Sequence, residues 1–368
     1  MTITGFSPEK FRNSLKSGTF GKLFLTALSM GYLSVISARR LLYRSGLLKR
    51  LRLPVPVICF GNISAGGTGK TSTVVLAAQE LARAGRRPAV LIRGYKRRSG
   101  SSKVVVLAKG RHFDTAEAGD EALMLYRLLE ADDVPVLVSP DRRASGLEAV
   151  KAGAGVILMD DGFQHFALER DADIVLVNAT APFTADRMLP LGSLREPPSG
   201  IARARAVIIS HCELASRAGI DALRSEILRL NPRAEILESM HTPDSFMDPA
   251  AASAEDLDAL RGKPAAAISG IGDPASFEGA LRGLNVDLKQ IWRYPDHHAF
   301  TPEELAAAER TREGLPLVTT HKDFTRFPPG WQDILKGGVL ILSVKITFAG
   351  DGSKIFSSIL AGTGVGRA

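Results

Sequence analysis

Residues 57–76 read VICFGNISAGGTGKTSTVVL, and no other stretch of the chain restricts the fold so tightly. The apolar run from Val57 to Phe60 has the length and character of a buried strand. It ends in Gly61-Asn62, and a loop holding Gly66, Gly67, Thr68 and Gly69 precedes Lys70-Thr71. Val74, Val75, Leu76, Ala78 and Leu81 then continue as an apolar helical pattern. Glycines between a strand and a helix let successive backbone N–H groups face one anion, and the helix adds the positive end of its dipole. Ser64, Ala65, Gly66, Gly67, Thr68, Gly69, Lys70 and Thr71 therefore read as a polyphosphate cradle. In such a cradle the lysine reaches the β- and γ-phosphates and the threonine hydroxyl holds Mg²⁺. The usual spacing asks for glycine six residues before the lysine, where this chain has Ser64. A glycine-rich turn capping a helix is the plainer alternative; the Gly-Lys-Thr sequence and both flanking elements argue against it.

Strands and helices alternate after this loop. Short apolar runs at 88–92, 103–108, 134–138, 156–159, 174–177 and 206–209 read as strands, and 116–129, 143–152 and 222–230 as helices. That order predicts an α/β fold: a P-loop parallel sheet flanked by helices, with ligands at the carboxyl ends of the strands. The second half repeats the style more weakly, with strands at 265–268, 290–294, 316–319 and 339–344 and a loop-like stretch at 243–255. The predicted organisation is a basic helical segment over 1–52, a P-loop domain over 53–238 and a smaller α/β domain over 239–368. The loop Gly270-Ile271-Gly272-Asp273-Pro274 reads as a tight turn before a helix rather than a second nucleotide site.

Charge separates the N-terminal segment from the rest. Residues 1–52 carry ten Lys or Arg against one acid, Glu9, so the remaining 316 residues sum to about −1 of the net +8. Inside this segment lies the apolar stretch Leu23 to Ser37, shorter than the ~20 residues a bilayer span needs. A basic, partly apolar helix fits an anionic membrane surface; a helix packed on the domain with a solvated basic face is the alternative. No basic motif interleaved with aromatics appears, which argues against nucleic acid. The two cysteines, Cys59 and Cys212, offer neither a disulfide framework nor metal-ligand spacing and fit a reducing compartment.

Several polar clusters follow predicted strands. Val156 to Met159 ends in Asp160 and Asp161, the pattern in which a strand-tip carboxylate holds Mg²⁺; Asp-Gly is also a common turn. Gly119-Asp120-Glu121 opens a helix, where carboxylates complement the dipole, enter a metal site or act as a base. Asp296-His297-His298 pairs a carboxylate with imidazoles, suited to proton abstraction or to a polar surface turn. Leu194-Arg195-Glu196-Pro197 carries one strong phosphate binder, Arg195, for which a salt bridge to Glu196 is the alternative. For Thr319 to Asp323, base-binding and structural roles both stand.

Taken together, GNIS…GGTGKT, Arg-Gly-Tyr at 93–95, Gly-Asp-Glu at 119–121, Arg142, DDGFQH at 160–165, LREP at 194–197, DHH at 296–298 and Lys322-Asp323 resemble one family, the tetraacyldisaccharide 4'-kinases of lipid A biosynthesis. The likeness covers most of the chain; it departs from the family pattern at Ser72, Lys96, Thr184 to Arg187 and His321. The resemblance implies transfer of the ATP γ-phosphate to the 4'-hydroxyl of an acylated glucosamine disaccharide. It implies work at the cytoplasmic face of the inner membrane of a Gram-negative bacterium. It further implies Asp120 as base tuned by His297, Lys70 as the neutralising charge, and Thr71, Glu121, Asp160 and Asp161 around Mg²⁺. Asn62, Arg142, Gln164, His165 and Arg195 would line the substrate site. A membrane-surface ATPase switch shares the glycine loop, but carries lysine directly before the two glycines, where this chain has Ala65. A soluble kinase for a small polar metabolite leaves the basic N-terminus unexplained.

Overall fold

The computed structural model describes residues 15–16, 18–94, 103–111, 113 and 115–364. Residues 1–14 of the basic segment and Tyr95-Lys96 of the Arg-Gly-Tyr stretch lie outside these. Apolar, β-branched segments become strands buried on both faces: β1 (Val57–Gly61), β2 (Pro88–Ile92), β4 (Val136–Val138), β5 (Val156–Met159), β6 (Ala172–Asn178) and β7 (Ala206–Ser210). With the start of β8 (Glu235–Asp248) they form a parallel sheet in the order β8-β7-β6-β1-β5-β2-β4, and β3 (Val105–Leu107) closes the edge antiparallel. β10 (Pro264–Ser269), β11 (Asp287–Arg293), β12 (Leu317–Thr320) and β13 (Val339–Phe348) form a second parallel set ordered β11-β10-β12-β13. β9 (Ser253–Glu255) pairs with the far end of β8.

One long strand joins the two sets. Glu235 to Glu238 pair parallel with Ala206 to Ile209 of β7. From Ser239 onward β8 pairs antiparallel with β13, Ser239 opposite Phe348 and Met247 opposite Ile341. The second set therefore runs against the first and is displaced along β8 beyond the tips of the first set. The carboxyl ends of β10, β11 and β12 consequently face those of β1, β5 and β6. The boundary expected between 238 and 239 falls inside β8. The stretch 243–255, expected as loop, instead continues β8 to Asp248 and adds β9. Pro243 lies beside a register shift between Ser343 and Val344, where a missing N–H is tolerated in a ladder.

The helix expected over 116–129 is broken into Thr115–Ala118 and Asp120–Leu129 by Gly119, whose φ of +85° no other residue type adopts readily. Asp120 thereby opens a new helix at the strand-tip edge. The helix Lys70–Arg83 buries Val74, Ala77, Ala78 and Leu81 at helical spacing. The last helix, Gly352–Gly362, returns to the first set and packs Phe356, Ile359 and Leu360 into the same core as Ile58 and Phe60.

The N-terminal helix, Thr19–Arg44, has 26 residues, more than its apolar run, and is long and apolar enough to cross a bilayer by length and composition. Leu25 and Ser29 are buried against the body. Ser29 Oγ donates to Met188 O at 3.0 Å and Tyr32 OH to Arg195 O at 2.9 Å. Phe20, Leu23, Phe24, Met30 and Val35 stay exposed.

Because the last helix completes the P-loop core, Phe356→Ala is expected to destabilise the protein by about 3–5 kcal/mol, the cost of an aromatic-sized core cavity. Chemical denaturation reads this directly.

Candidate active site

Backbone conformation builds the cradle first. Gly66 and Gly69 have φ of +129° and +75°, and Gly69 is the cap from which the helix Lys70–Arg83 starts. A Cβ at Gly69 would also lie 2.7 Å from the His241 ring, so glycine is required there twice over. That helix has no side-chain cap, which leaves its first N–H groups for an anion. A neighbouring loop braces the cradle: Ala65 N donates to Ser193 O at 2.8 Å and Arg195 N to Ile63 O at 2.7 Å.

Carboxylates gather beside Lys70. Thr71 Oγ1 donates to Glu121 Oε1 at 3.2 Å, so Gly-Asp-Glu does more than complement a helix dipole. Lys70 Nζ lies 3.7 Å from Asp161 Oδ1. Arg195 Nη1 donates to both oxygens of Asp161 at 2.8 Å; the alternative pairing of Arg195 with Glu196 is not made. Burial pushes the Asp161 carboxyl up, but Lys70 and Arg195 outweigh it and hold the group below the ordinary carboxylate range. Asp160 is 2% exposed, and its Oδ1 is buried without a hydrogen-bond partner. Burial, then the Glu121 charge, pushes its carboxyl up to about 7. An orphaned buried oxygen beside a hydroxyl and a second carboxylate is a hard, all-oxygen donor set that fits Mg²⁺. Thr71, Glu121 and Asp160 could hold it.

The remaining expected residues are placed as follows. Asn62 is fully buried; its Nδ2 donates to Thr68 Oγ1 at 3.2 Å and its carbonyl accepts from Gln164 Nε2 at 2.8 Å. Gln164 Nε2 also reaches Glu196 Oε1 at 2.7 Å. Arg142 is 3% exposed and donates to the backbone carbonyls of Ser139 and Asp160, so it braces the strand tip. His165 lines a separate cavity of about 400 Å³ with Tyr43 and Arg143, and burial lowers its pKa to about 4. Asp323, on the short helix after β12, is buried and accepts from Gly270 N at 3.0 Å, which favours the structural reading of that stretch. Asp273 caps the helix Pro274–Gly283, so the Gly-Ile-Gly-Asp-Pro loop is a turn.

The two sets of strand ends meet at Asp120. His297 Nδ1 lies 2.7 Å from Asp120 Oδ2, linking residues 177 apart in sequence. His297 has φ +63°, a conformation that a non-glycine residue holds only when its surroundings demand it. Arg326 Nε donates to the same Asp120 oxygen at 3.0 Å. Lys322 Nζ lies 3.5 Å from His297 Nε2. Burial pushes the Asp120 carboxyl up; hydrogen bonds and charge from His297 and Arg326 outweigh it and hold it below its ordinary value. Arg326 and Glu196 were not expected as site residues from their types. Arg326 stands three residues after Asp323, in the turn that follows the short helix His321–Phe324, and the pairing of an acid and a base three residues apart was the available signal.

A phosphate-binding loop, an acidic metal-ready cluster and a carboxylate–imidazole pair facing it define a P-loop phosphotransferase. Residues 21–362 match the family model described as tetraacyldisaccharide-1-P 4'-kinase. The chain is 42% identical over 344 residues to the tetraacyldisaccharide 4'-kinase of Elusimicrobium minutum, covering 93% of this chain and 92% of that one. It is 41% identical over 295 residues to the enzyme of that name from Anaeromyxobacter dehalogenans, at 79% and 77% coverage. The crystal structure of LpxK from Aquifex aeolicus in complex with ATP superposes with a TM-score of 0.74 at 30% identity, covering 92% of this chain and 98% of that one. The chain belongs to the tetraacyldisaccharide-1-P 4'-kinase family.

Asp160 gives the site a pH signature. Its folded-state pKa is raised, so its contribution to ligand-free stability is full below about pH 4 and is lost as pH rises through about 7. Asp160→Asn is expected to remove that loss. Melting temperatures from pH 4 to 8, taken as the difference between wild type and variant, check this. Mg²⁺ is expected to raise the wild-type melting temperature more at pH 8 than at pH 5.5, and to have little effect on the variant.

Proposed function

We propose that the chain transfers the γ-phosphate of ATP to the 4'-hydroxyl of a tetraacylated glucosamine disaccharide 1-phosphate. The observation that carries this is the 2.7 Å contact between His297 and Asp120 beside the cradle. A nucleotide seated on residues 64–71 would present its terminal phosphate to Lys70. An acceptor hydroxyl between that phosphate and Asp120 would give up its proton to the carboxylate, which His297 and Arg326 keep ionised and aimed. A phosphoryl group passing through a loose transition state asks for position and charge neutralisation more than for a strong base, so a carboxylate of low pKa suffices. Thr71, Glu121 and Asp160 would hold Mg²⁺, whose chemistry there is neutralisation of the phosphate oxygens. Arg195, fixed on Asp161, and Gln164 would contact the sugar. The lobes on either side of β8 would close on the substrate and exclude water from ATP.

The N-terminal helix supports a lipid acceptor. Its exposed Phe20, Phe24, Met30 and Val35 form an apolar face on a basic segment, the composition of a helix that enters an anionic surface. Tyr32 ties this helix to the Arg195 loop, so a lipid held at the helix would lie near the cradle. This reading assigns the protein to the cytoplasmic face of the inner membrane of a Gram-negative bacterium.

Incubation with ATP, Mg²⁺ and the tetraacyl disaccharide 1-phosphate, followed by mass analysis of the lipid, is expected to show one added phosphate. ATP hydrolysis with unchanged lipid would favour a membrane-surface ATPase switch. Asp120→Ala is expected to cut transfer by about 10²-fold or more and His297→Ala by less, the double variant being little worse than Asp120→Ala. Strictly additive losses would separate the two residues. Serine at Phe20, Phe24 and Val35 is expected to weaken co-sedimentation with anionic vesicles at unchanged melting temperature.

A further inference from the structure

His165 is expected among the substrate-site residues, yet it lines a cavity of its own. Three segments enclose that cavity: the end of the N-terminal helix with Tyr43, the turn after β4 with Asp141 and Arg143, and the turn after β5 with His165 and Ala167. The Tyr43 ring rests against Phe166, with centroids 5.9 Å apart, which fixes the helix end to the wall. The surroundings are cationic. Arg39 and Arg50 stand over the Tyr43 ring, 5.9 and 6.0 Å from its centroid. Both are exposed, and neither forms an ion pair among the described residues. Arg143 holds Asp141, the one acid that lines the cavity, through Nε and Nη2 at 3.1 Å each. Behind the wall, Arg142 donates to backbone carbonyls and Arg170 is paired with Asp173. His165 Nε2 is buried and has no hydrogen-bond partner. Burial, then the charges of Arg142 and Arg39, lowers the His165 pKa to about 4.

An orphaned buried nitrogen and guanidiniums without counter-charges are costly, and an oxyanion relieves both. A phosphate monoester suits them best, with three acceptor oxygens and close to two negative charges at neutral pH. Position points to a lipid that carries one. Tyr43 follows the exposed Val35 by eight residues on the same helix, roughly 12 Å along its axis. A lipid whose chains lie on the apolar stretch of that helix would bring its polar head to Tyr43. The cavity also adjoins the transfer site. Residues 160–165 run from Asp160 of the acidic cluster to His165 through a turn in which His165 N donates to Gly162 O at 2.8 Å. Arg142 lies between the two, donating to Asp160 O while its charge acts on His165. In a disaccharide 1-phosphate, the 4'-hydroxyl and the phosphate stand on opposite ends of the two sugars. A bilayer phospholipid reaches the same surface, but its phosphodiester carries a single charge and matches the cluster less well.

We infer that the cavity beside Tyr43 holds the phosphate monoester of the lipid acceptor, with Arg39, Arg143 and His165 as its contacts, so that the acceptor is gripped at the end opposite its reacting hydroxyl. This rests on the kinase reading given above. The test is initial rates of the full chain with ATP and Mg²⁺ in neutral detergent micelles, on the tetraacyl disaccharide with and without its 1-phosphate. Wild type is expected to use the phosphorylated acceptor about tenfold better in kcat/KM, the scale of one charge-assisted hydrogen bond. Arg39→Gln and Arg143→Gln are each expected to raise the KM for the phosphorylated acceptor by roughly tenfold at retained kcat, and to leave rates on the dephosphorylated acceptor unchanged. Arg39 is exposed, so its variant keeps the test valid even where Arg143→Gln lowers the melting temperature by freeing Asp141. A wild type that uses both acceptors equally, or an Arg39→Gln loss that is the same on both, overturns the assignment. So does an Arg39→Gln variant that loses co-sedimentation with phosphatidylglycerol vesicles at unchanged KM for the acceptor, which would give the arginine to bilayer headgroups. Wild type that phosphorylates neither acceptor overturns the kinase reading and this inference with it; transfer to both at equal rates overturns this inference alone.

Discussion

The site depends on β8 carrying two partners of opposite direction. Its first residues extend the parallel P-loop sheet, and its later residues hold β13 antiparallel. At about 3.3 Å per residue, the shift along β8 lifts the second set of strands past the tips of the first. Two parallel sheets that would otherwise present carboxyl ends at opposite edges then present them to one another. Ligand groups collect at such ends in parallel sheets, and here two collections share one cleft. Glu121, Asp160 and the cradle come from one side, and His297 and Arg326 from the other.

Within that cleft, charge is distributed unevenly and each group has a physical reason. Asp161 is neutralised by Lys70 and Arg195 and stays ionised. Asp160, one residue earlier, faces the Glu121 carboxylate in a buried setting with an unpaired oxygen. The Lys70 and Arg142 charges offset only part of that cost, and a divalent cation would offset more. Asp120 is the opposite case, held by two donors from the facing lobe. A second chain of contacts, Asn62 to Gln164 to Glu196 to Arg203, stiffens the loop that carries Arg195. The N-terminal helix joins the same loop through Tyr32, so that helix, the Arg195 loop and the cradle are mechanically continuous.

Some sequence signals held because they are local. The strand, loop and helix over 57–83 follow from apolar runs, glycines with positive φ and helical spacing, all within about 25 residues. The strand ending in Asp160-Asp161 is equally short-range. Other signals misled. Small and acidic residues over 243–255 look like loop, yet pairing with β13 makes Pro243 to Asp248 a strand. The apolar run 23–37 understates the helix Thr19–Arg44, because helical hydrogen bonds continue through the basic residues that follow. Arg142 is a separate case: it is buried, its Nη1 and Nη2 donate to backbone carbonyls, and its Nε has no hydrogen-bond partner.

By itself, the sequence determined the α/β class, the phosphate cradle and the family likeness, since each rests on residues close enough in the chain to form one turn or one strand end. It also left Asp120 and Glu121 with three readings and His297 with two. Only the tertiary structure decided what these residues touch. It brings Glu121 to Thr71 across 50 residues and His297 to Asp120 across 177. It sends Arg195 to Asp161 instead of its chain neighbour, and stacks His211 on His241 beside Gly69. These contacts follow from strand register and from the reversal of direction at β8, neither of which any local pattern encodes.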